Sequence, residues 1–252
     1  MKPAQAANQN RLLAALKTQD LELISSRLQP VSLESGDVLF DTADDVDTVR
    51  FPLPGTIASL VLNLQDGNSA ETAMIGLEGA IGGIVSNGHK PAFARAIVQI
   101  GGPALMLSTD DLEAAKQQSP TLRDHFASYA DCLLAQVLQS VACNALHDFD
   151  ARLARWLLMV HDRASDDELQ VTQDLVGEML GVHRTYATRI LGELEGQGTI
   201  RRGRGVIVIM DRRKLERQAC ECYADIRQHF DRLLPGVHPA PVAKTTKHDD
   251  TR

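Results

Sequence analysis

The chain lacks any apolar run approaching the ~20 residues that a membrane-spanning helix needs, so no helical span is expected. Its opening, Met-Lys-Pro-Ala-Gln-Ala-Ala-Asn-Gln-Asn, lacks the apolar core of a secretion signal, and a cytoplasmic location is the expectation. Cysteine is sparse: Cys132, Cys143, Cys220 and Cys222 are the four in 252 residues, with no repeated CxxC framework. In a reducing compartment they would stay as thiols. Cys132 and Cys143 lie eleven apart on one expected helix, about three turns, too far for one metal site within a chain. Cys220 and Cys222 lie two apart on another expected helix and so should point to different sides. No metal site is expected, and the thiols read as inert, with a redox-sensing thiol as the alternative. The eight histidines include no HxxxH pair, and no haem site follows from them. Nothing pairs a nucleophile with a base or assembles a metal constellation, so no enzyme is expected.

The net charge of −7 argues at first against a polyanionic partner, but its distribution reverses that. Residues 1–150 hold nine basic and eighteen acidic groups, whereas residues 184–217 hold nine basic and four acidic. The positive end coincides with a segment of distinctive pattern, Val171–Leu191. Leu175, Val176, Met179 and Leu180 make one buried helical face, and Gly181 breaks the helix where a turn needs positive φ. A second helix follows with Ile190, Leu191 and Leu194 inward, leaving His183, Arg184, Thr185, Tyr186, Thr188 and Arg189 to face outward. Two short helices joined through a glycine, the second bearing arginines, form a DNA-reading helix-turn-helix. Thr199–Met210 then reads as a hairpin turning at Gly203-Arg204-Gly205, a wing that brings Arg201, Arg202 and Arg204 to phosphates or a minor groove. Thr172, ahead of the first helix, completes the candidate DNA-binding set.

The remaining chain divides by texture. Residues 1–30 read as a helical lead-in ended by Pro30, and 31–118 as a roll of roughly eight short strands. Strands are expected at 38–40, 49–51, 57–62, 70–75, 95–100 and 104–107, with Asp66-Gly67-Asn68 among the turns. Ser108 or Thr109 should cap a short helix. A long helix is expected over about 120–147, its apolar stripe (Phe126, Tyr129, Ala130, Leu133, Val137, Leu138, Val141, Ala145) wider than one domain surface needs. It suits packing against both its own domain and a second copy, although burial in a single core is the other reading. Asp148-Phe-Asp150 should hinge into a helix over 151–163, residues 148–215 should form the winged helix, and one last helix should run from Arg212 to about Leu234. The tail, 236–252, is expected to be disordered.

This order, an antiparallel β-roll, a long helix and a winged helix-turn-helix, resembles the Crp/Fnr superfamily of bacterial transcription regulators. The resemblance spans roughly residues 10–215 and is strongest over Ala151–Met210; Ala219-Cys-Glu-Cys-Tyr223 looks like a subgroup with an extended C-terminal helix. It implies an α+β fold with a cyclic-nucleotide-binding-like jelly roll. The implied function is DNA-binding regulation by a homodimer on a palindrome, with double-stranded DNA, a second copy and RNA polymerase as partners. Family members carry Arg-Glu-x-x-x-Arg on the recognition helix. Arg184 and Arg189 match as base or phosphate contacts, but Thr185 replaces the glutamate that accepts from cytosine N4, so a different half-site is expected at that base. His183 and Tyr186 read either as phosphate contacts or as cap exposure and helix packing. In the roll the resemblance marks Gly76, Glu78, Gly79 and Arg95 as candidate effector ligands. The family's Arg-Ser pair, however, falls on Ala92-Phe93, with Arg95 three residues out of register and Lys90 usable only in a rebuilt loop. No cofactor is expected and cyclic AMP is not the expected effector, with Phe93 filling the nucleotide's space. The absence of cysteine from residues 1–131 excludes the N-terminal cluster of the iron–sulfur members. The competing reading is a ligand-binding or redox-responsive regulator whose winged helix meets protein rather than DNA.

Overall fold

The computed structural model describes residues 3–65, 69–84 and 91–239; the expected turn at Asp66-Gly67-Asn68, Lys90 and residues 240–252 lie outside these. The lead-in forms α1 (Pro3–Ala7), α2 (Arg11–Ala14) and α3 (Thr18–Ser25). Asn10 fixes it to the roll. Its side-chain oxygen accepts from Leu13 N–H while its amide donates to Pro52 and Gly79 carbonyls, both at 2.9 Å. Every polar atom of this buried side chain is thereby matched. Pro30 does not end a helix. It lies inside β1 (Gln29–Leu33), which pairs on one side only, so the missing N–H costs no ladder bond.

The roll continues as β2 (Val38–Phe40), β3 (Thr48–Pro52), β4 (Ile57–Asn63), β5 (Ser69–Ile75), β6 (Arg95–Ile100) and β7 (Gly102–Ser108). Two antiparallel sheets result, ordered β1-β7-β3 and β2-β6-β4-β5, so the described part of the roll holds seven strands where roughly eight were expected. Ser108 caps α4 (Thr109–Gln118), and Ser119 caps α5 (Pro120–Leu146) with proline in its first turn. At 27 residues α5 runs about 40 Å. It buries Leu122, Phe126, Tyr129 and Cys132 against the roll and leaves Leu134, Leu138 and Val141 exposed along another face. No helix among the described residues is long and apolar enough to cross a membrane.

The break after α5 is narrower than the expected Asp148-Phe-Asp150 hinge. Only His147 and Asp148 are extended, and Phe149 already begins α6 (Phe149–Arg163). The C-terminal half adds β8 (Glu168–Leu169), α7 (Gln173–Met179), α8 (Arg184–Gly196), β9 (Ile200–Arg202) and β10 (Ile207–Ile209). The expected single helix from Arg212 is two, α9 (Arg212–Gln218) and α10 (Cys222–Leu233), parted by extended Ala219. Asp162, fully buried, holds both in place: it accepts from Arg212 at 2.6 Å, Tyr223 at 2.8 Å and Arg227 at 3.1 Å. Beyond α10, Val237 and His238 are buried, and Arg11 donates to the His238 carbonyl at 2.9 Å, so 237–239 pack within a stretch expected to be disordered.

The split between α9 and α10 also overturns the expectation for the cysteines. Because the chain turns at 219–221, Cys220 and Cys222 do not sit two apart on one helix. Both reach Cys143 and His147 at the end of α5, and the four ligand-bearing atoms all lie within 4.8 Å of one another. The expectation that Cys220 and Cys222 point to different sides therefore fails on geometry.

One core, built on α6 with Trp156 near its middle, extends into the roll through Ile57, Val61 and Met74. There Glu71 is half-buried, accepting from the Ser59 hydroxyl and from Trp156 Nε1 at 3.1 Å. Burial raises its pKa above the ordinary glutamate range, against the lowering effect of the Ser59 bond. A raised folded-state pKa means that stability is full below about pH 4.3 and declines as pH rises through the raised value. Glu71→Gln should remove that decline, its amide oxygen accepting from Trp156 Nε1 while its amide nitrogen donates to the Ser59 hydroxyl. Thermal unfolding across pH 5–8 checks this: the variant should gain on the parent as pH rises, and parallel curves would rule it out.

Candidate nucleic-acid interface

The helix-turn-helix follows from local chemistry. The Thr172 side chain accepts from Leu175 N–H at 3.1 Å and so caps α7. Gly181 turns the chain with φ +66°, a conformation that strains side-chain-bearing residues. From Arg152, at the start of α6, a guanidinium bond of 2.8 Å to the Leu180 carbonyl closes the end of α7. α8 then buries Ala187, Ile190, Leu191 and Leu194. His183, Arg184, Thr185, Tyr186 and Arg189 remain exposed along its first two turns.

The ten candidate residues divide by what already holds them. Thr172 is committed to its cap. The Thr188 hydroxyl donates to Gln173 Oε1 at 2.8 Å. Arg202 is a strut: its main-chain N–H and Nε reach Glu195, each at 2.8 Å, and Nη1 reaches the Thr188 carbonyl at 3.2 Å. These bonds, the backbone one first, hold the Glu195 carboxyl below its usual range. They lock the wing to α8. By contrast Arg184 meets Asp174 at 3.0 Å with both side chains more than 60% exposed, a pair that solvent weakens and a phosphate or base edge could displace. Arg189 pairs with Glu193 at 2.5 Å and lies 4.9 Å over the Tyr186 ring. That ring also packs 5.0 Å from Phe149, so Tyr186 has a packing role whether or not it meets phosphate. Arg201 and Arg204 are exposed on the wing beside the turn, which Gly203 N–H closes on the Val206 carbonyl at 2.9 Å.

A concave cleft joins these parts, lined by Gln173, Asp174, Arg184, Arg202 and Gly205 among others. Gln173 and Asp174 were not among the candidates from sequence. Their signal was available: they follow the Thr172 cap, at the end of α7 that faces the wing.

The four candidate effector ligands in the roll are not brought together. Glu78 is buried and spent on Arg163 of α6, with Nη2–Oε1 at 2.7 Å. A Cβ on Gly76 would lie 2.8 Å from Arg163 Cγ, and one on Gly79 would collide with the Tyr129 hydroxyl, so both glycines are required for close packing. Arg95 pairs with Asp41 at 2.5 Å. None of the four lines the roll's cavity of about 320 Å³, which is walled by apolar groups including Phe40, Leu60, Ile75, Ala92 and Leu133. Phe93 does not fill that space. It stands at the rim, 83% exposed.

Comparison with known proteins agrees with this fold and with the helix-turn-helix. Residues 151–218 match the family described as the Crp-like helix-turn-helix domain. Among solved structures, the chain resembles FixK2 from Bradyrhizobium japonicum with TM-score 0.66 at 18% identity, covering 77% of this chain and 98% of that one. A transcriptional regulator of the crp/fnr family from Eubacterium rectale gives 0.62 at 17%, covering 82% and 96%. The c-di-GMP responsive regulator CLP from Xanthomonas campestris gives 0.61 at 15%, covering 77% and 99%. No curated protein matches the sequence.

Proposed function

We propose that the chain is a regulator of the Crp/Fnr type that controls transcription as a homodimer on an inverted-repeat DNA site; its residues 151–218 match the Crp-like helix-turn-helix domain, and its fold is shared with Crp/Fnr-type structures. The observation that carries this reading is α8, which presents Arg184 and Arg189 beside a wing bearing exposed Arg201 and Arg204. Such a surface can fork onto guanine edges and neutralise flanking phosphates. Thr185, in place of a carboxylate, cannot accept from cytosine with the same charge assistance, so the half-site differs there from those of glutamate-bearing relatives.

The dimer reading rests on α5. Leu134, Leu138 and Val141 recur at helical spacing and stand exposed, a stripe that a second copy would cover. Leu138→Glu should shift the species seen by sedimentation toward monomer and weaken DNA binding with it. An unchanged sedimentation coefficient would place the interface elsewhere. Since no cationic side chain lines the roll's cavity, a cyclic phosphate has no counter-charge there among the described residues. Cyclic AMP should leave DNA affinity unaltered.

Selection of bound genomic fragments by the purified full chain tests the whole reading. Recovered fragments should share an inverted repeat with half-sites about one DNA turn apart. Affinity should fall steeply with salt as phosphates are engaged. Fragments without a repeat, or binding indifferent to salt, would overturn it.

A further inference from the structure

We propose that Cys143, His147, Cys220 and Cys222 form a four-coordinate site for a divalent thiophilic cation of the zinc class, set across the joint between α5 and the C-terminal half. The geometry suits such an ion. Cys143 Sγ lies 3.5 Å from Cys220 Sγ, Cys222 Sγ lies 3.5 Å from His147 Nδ1, and all four ligand atoms fall within 4.8 Å of one another. A tetrahedral ion with bonds of about 2.0–2.3 Å needs its ligand atoms about 3.5–3.8 Å apart, so small side-chain adjustments would complete the shell.

Local structure explains the convergence. Cys143 and His147 are one helical turn apart at the end of α5 and share a side. Cys220 precedes α10 and Cys222 begins it, so the turn between α9 and α10 brings both thiols to the same place. The three cysteines are buried, and Ala151 packs beside them.

The surroundings resemble the outer shell of a metal centre. His147 Nε2 lies 3.3 Å from Glu221 Oε1, which orients the ring with Nδ1 toward the thiols. Gln139 Nε2 lies 3.1 Å from Cys222 Sγ and donates to it. Three thiolates and a dication leave one negative charge, and Arg152 and Arg155 of α6 supply positive charge nearby. Arg155 is itself buried, with an Nε that has no hydrogen-bond partner among the described residues. Binding releases the thiol protons to solvent and changes no oxidation state.

The test uses the full chain, reduced and freed of metal, titrated first with cobalt(II) and then with zinc. One cobalt per chain should produce the visible absorption of a tetrahedral, sulfur-rich site, and one equivalent of zinc should bleach it. Cys143→Ser and Cys222→Ser should abolish the signal, whereas Cys132→Ser, one of the four thiols but outside the cluster, should keep it. Glu221→Gln changes an exposed carboxylate, spares the core, and should weaken zinc affinity about 10–100-fold. Absence of stoichiometric binding by folded protein, or unchanged binding in Cys222→Ser, would overturn the assignment. So would a sulfide-bearing iron chromophore in anaerobically purified protein, or a Cys143–Cys220 disulfide that persists under reductant and excludes the metal.

Discussion

Arg163→Met is expected to lower the unfolding free energy by about 3–5 kcal/mol, the range for removing one partner of a buried ion pair. The Arg163 side chain is 0% exposed and Glu78 2%, so neither charge has water to fall back on. The guanidinium also donates to the Met159 carbonyl at 2.8 Å. Without it, Glu78 would keep only the Gly76 N–H at 3.2 Å on one oxygen, while its other oxygen already has no hydrogen-bond partner. Because the loss comes from a stranded charge rather than a valuable pair, Glu78→Leu combined with Arg163→Met should recover much of it. Urea unfolding of the two single variants and the double variant checks both statements. Additive losses would mean that the pair is not the source.

Arg184→Ala together with Arg189→Ala is expected to cost about 2–6 kcal/mol in DNA affinity, from about 1–3 kcal/mol for each bidentate base contact. That corresponds to roughly 30-fold to 10⁴-fold weaker binding at fixed salt. Neither arginine holds the fold. Each has one exposed acidic partner, Asp174 or Glu193, so thermal stability should stay near that of the parent. Arg202→Ala should behave in the opposite way, loosening the wing from α8 because its bonds to Glu195 and Thr188 are internal. Equilibrium binding to a selected site, with melting curves alongside, separates the two behaviours. Parent-like affinity in the double variant would remove α8 as the reading element.

The parts legible in the sequence were those whose physics is local. The helix-turn-helix showed through its periodicity and Gly181, the wing through its glycine-framed turn, and the roll through regularly spaced turn residues. Pro30 misled because a proline that ends a helix and one that sits on a strand edge look alike in sequence. The break between α9 and α10 was hidden for another reason. Leu215, Ala219, Tyr223 and Ile226 keep helical spacing straight through it, and neither glycine nor proline marks 219–221. That hidden turn is what gathers the thiols, so the cluster could not be read from spacing. Glu78 and Arg163 are 85 positions apart, and no periodicity connects them. For the same reason Glu78 looked available to an effector when folding had already engaged it.

The return of α10 to the body has a mechanical consequence. Ile226, Phe230 and Leu234 belong to the same core as Leu12, Phe51 and Phe126, so the chain leaves the roll at 147–148 and comes back at 219–221. The C-terminal half is therefore a bight whose chain both leaves and returns beside α5, not a pendant on one tether, and it is seated on the roll as well, through the core around Trp156 and the Arg163–Glu78 pair. The cluster of thiols and imidazole sits where the outgoing and returning chain meet.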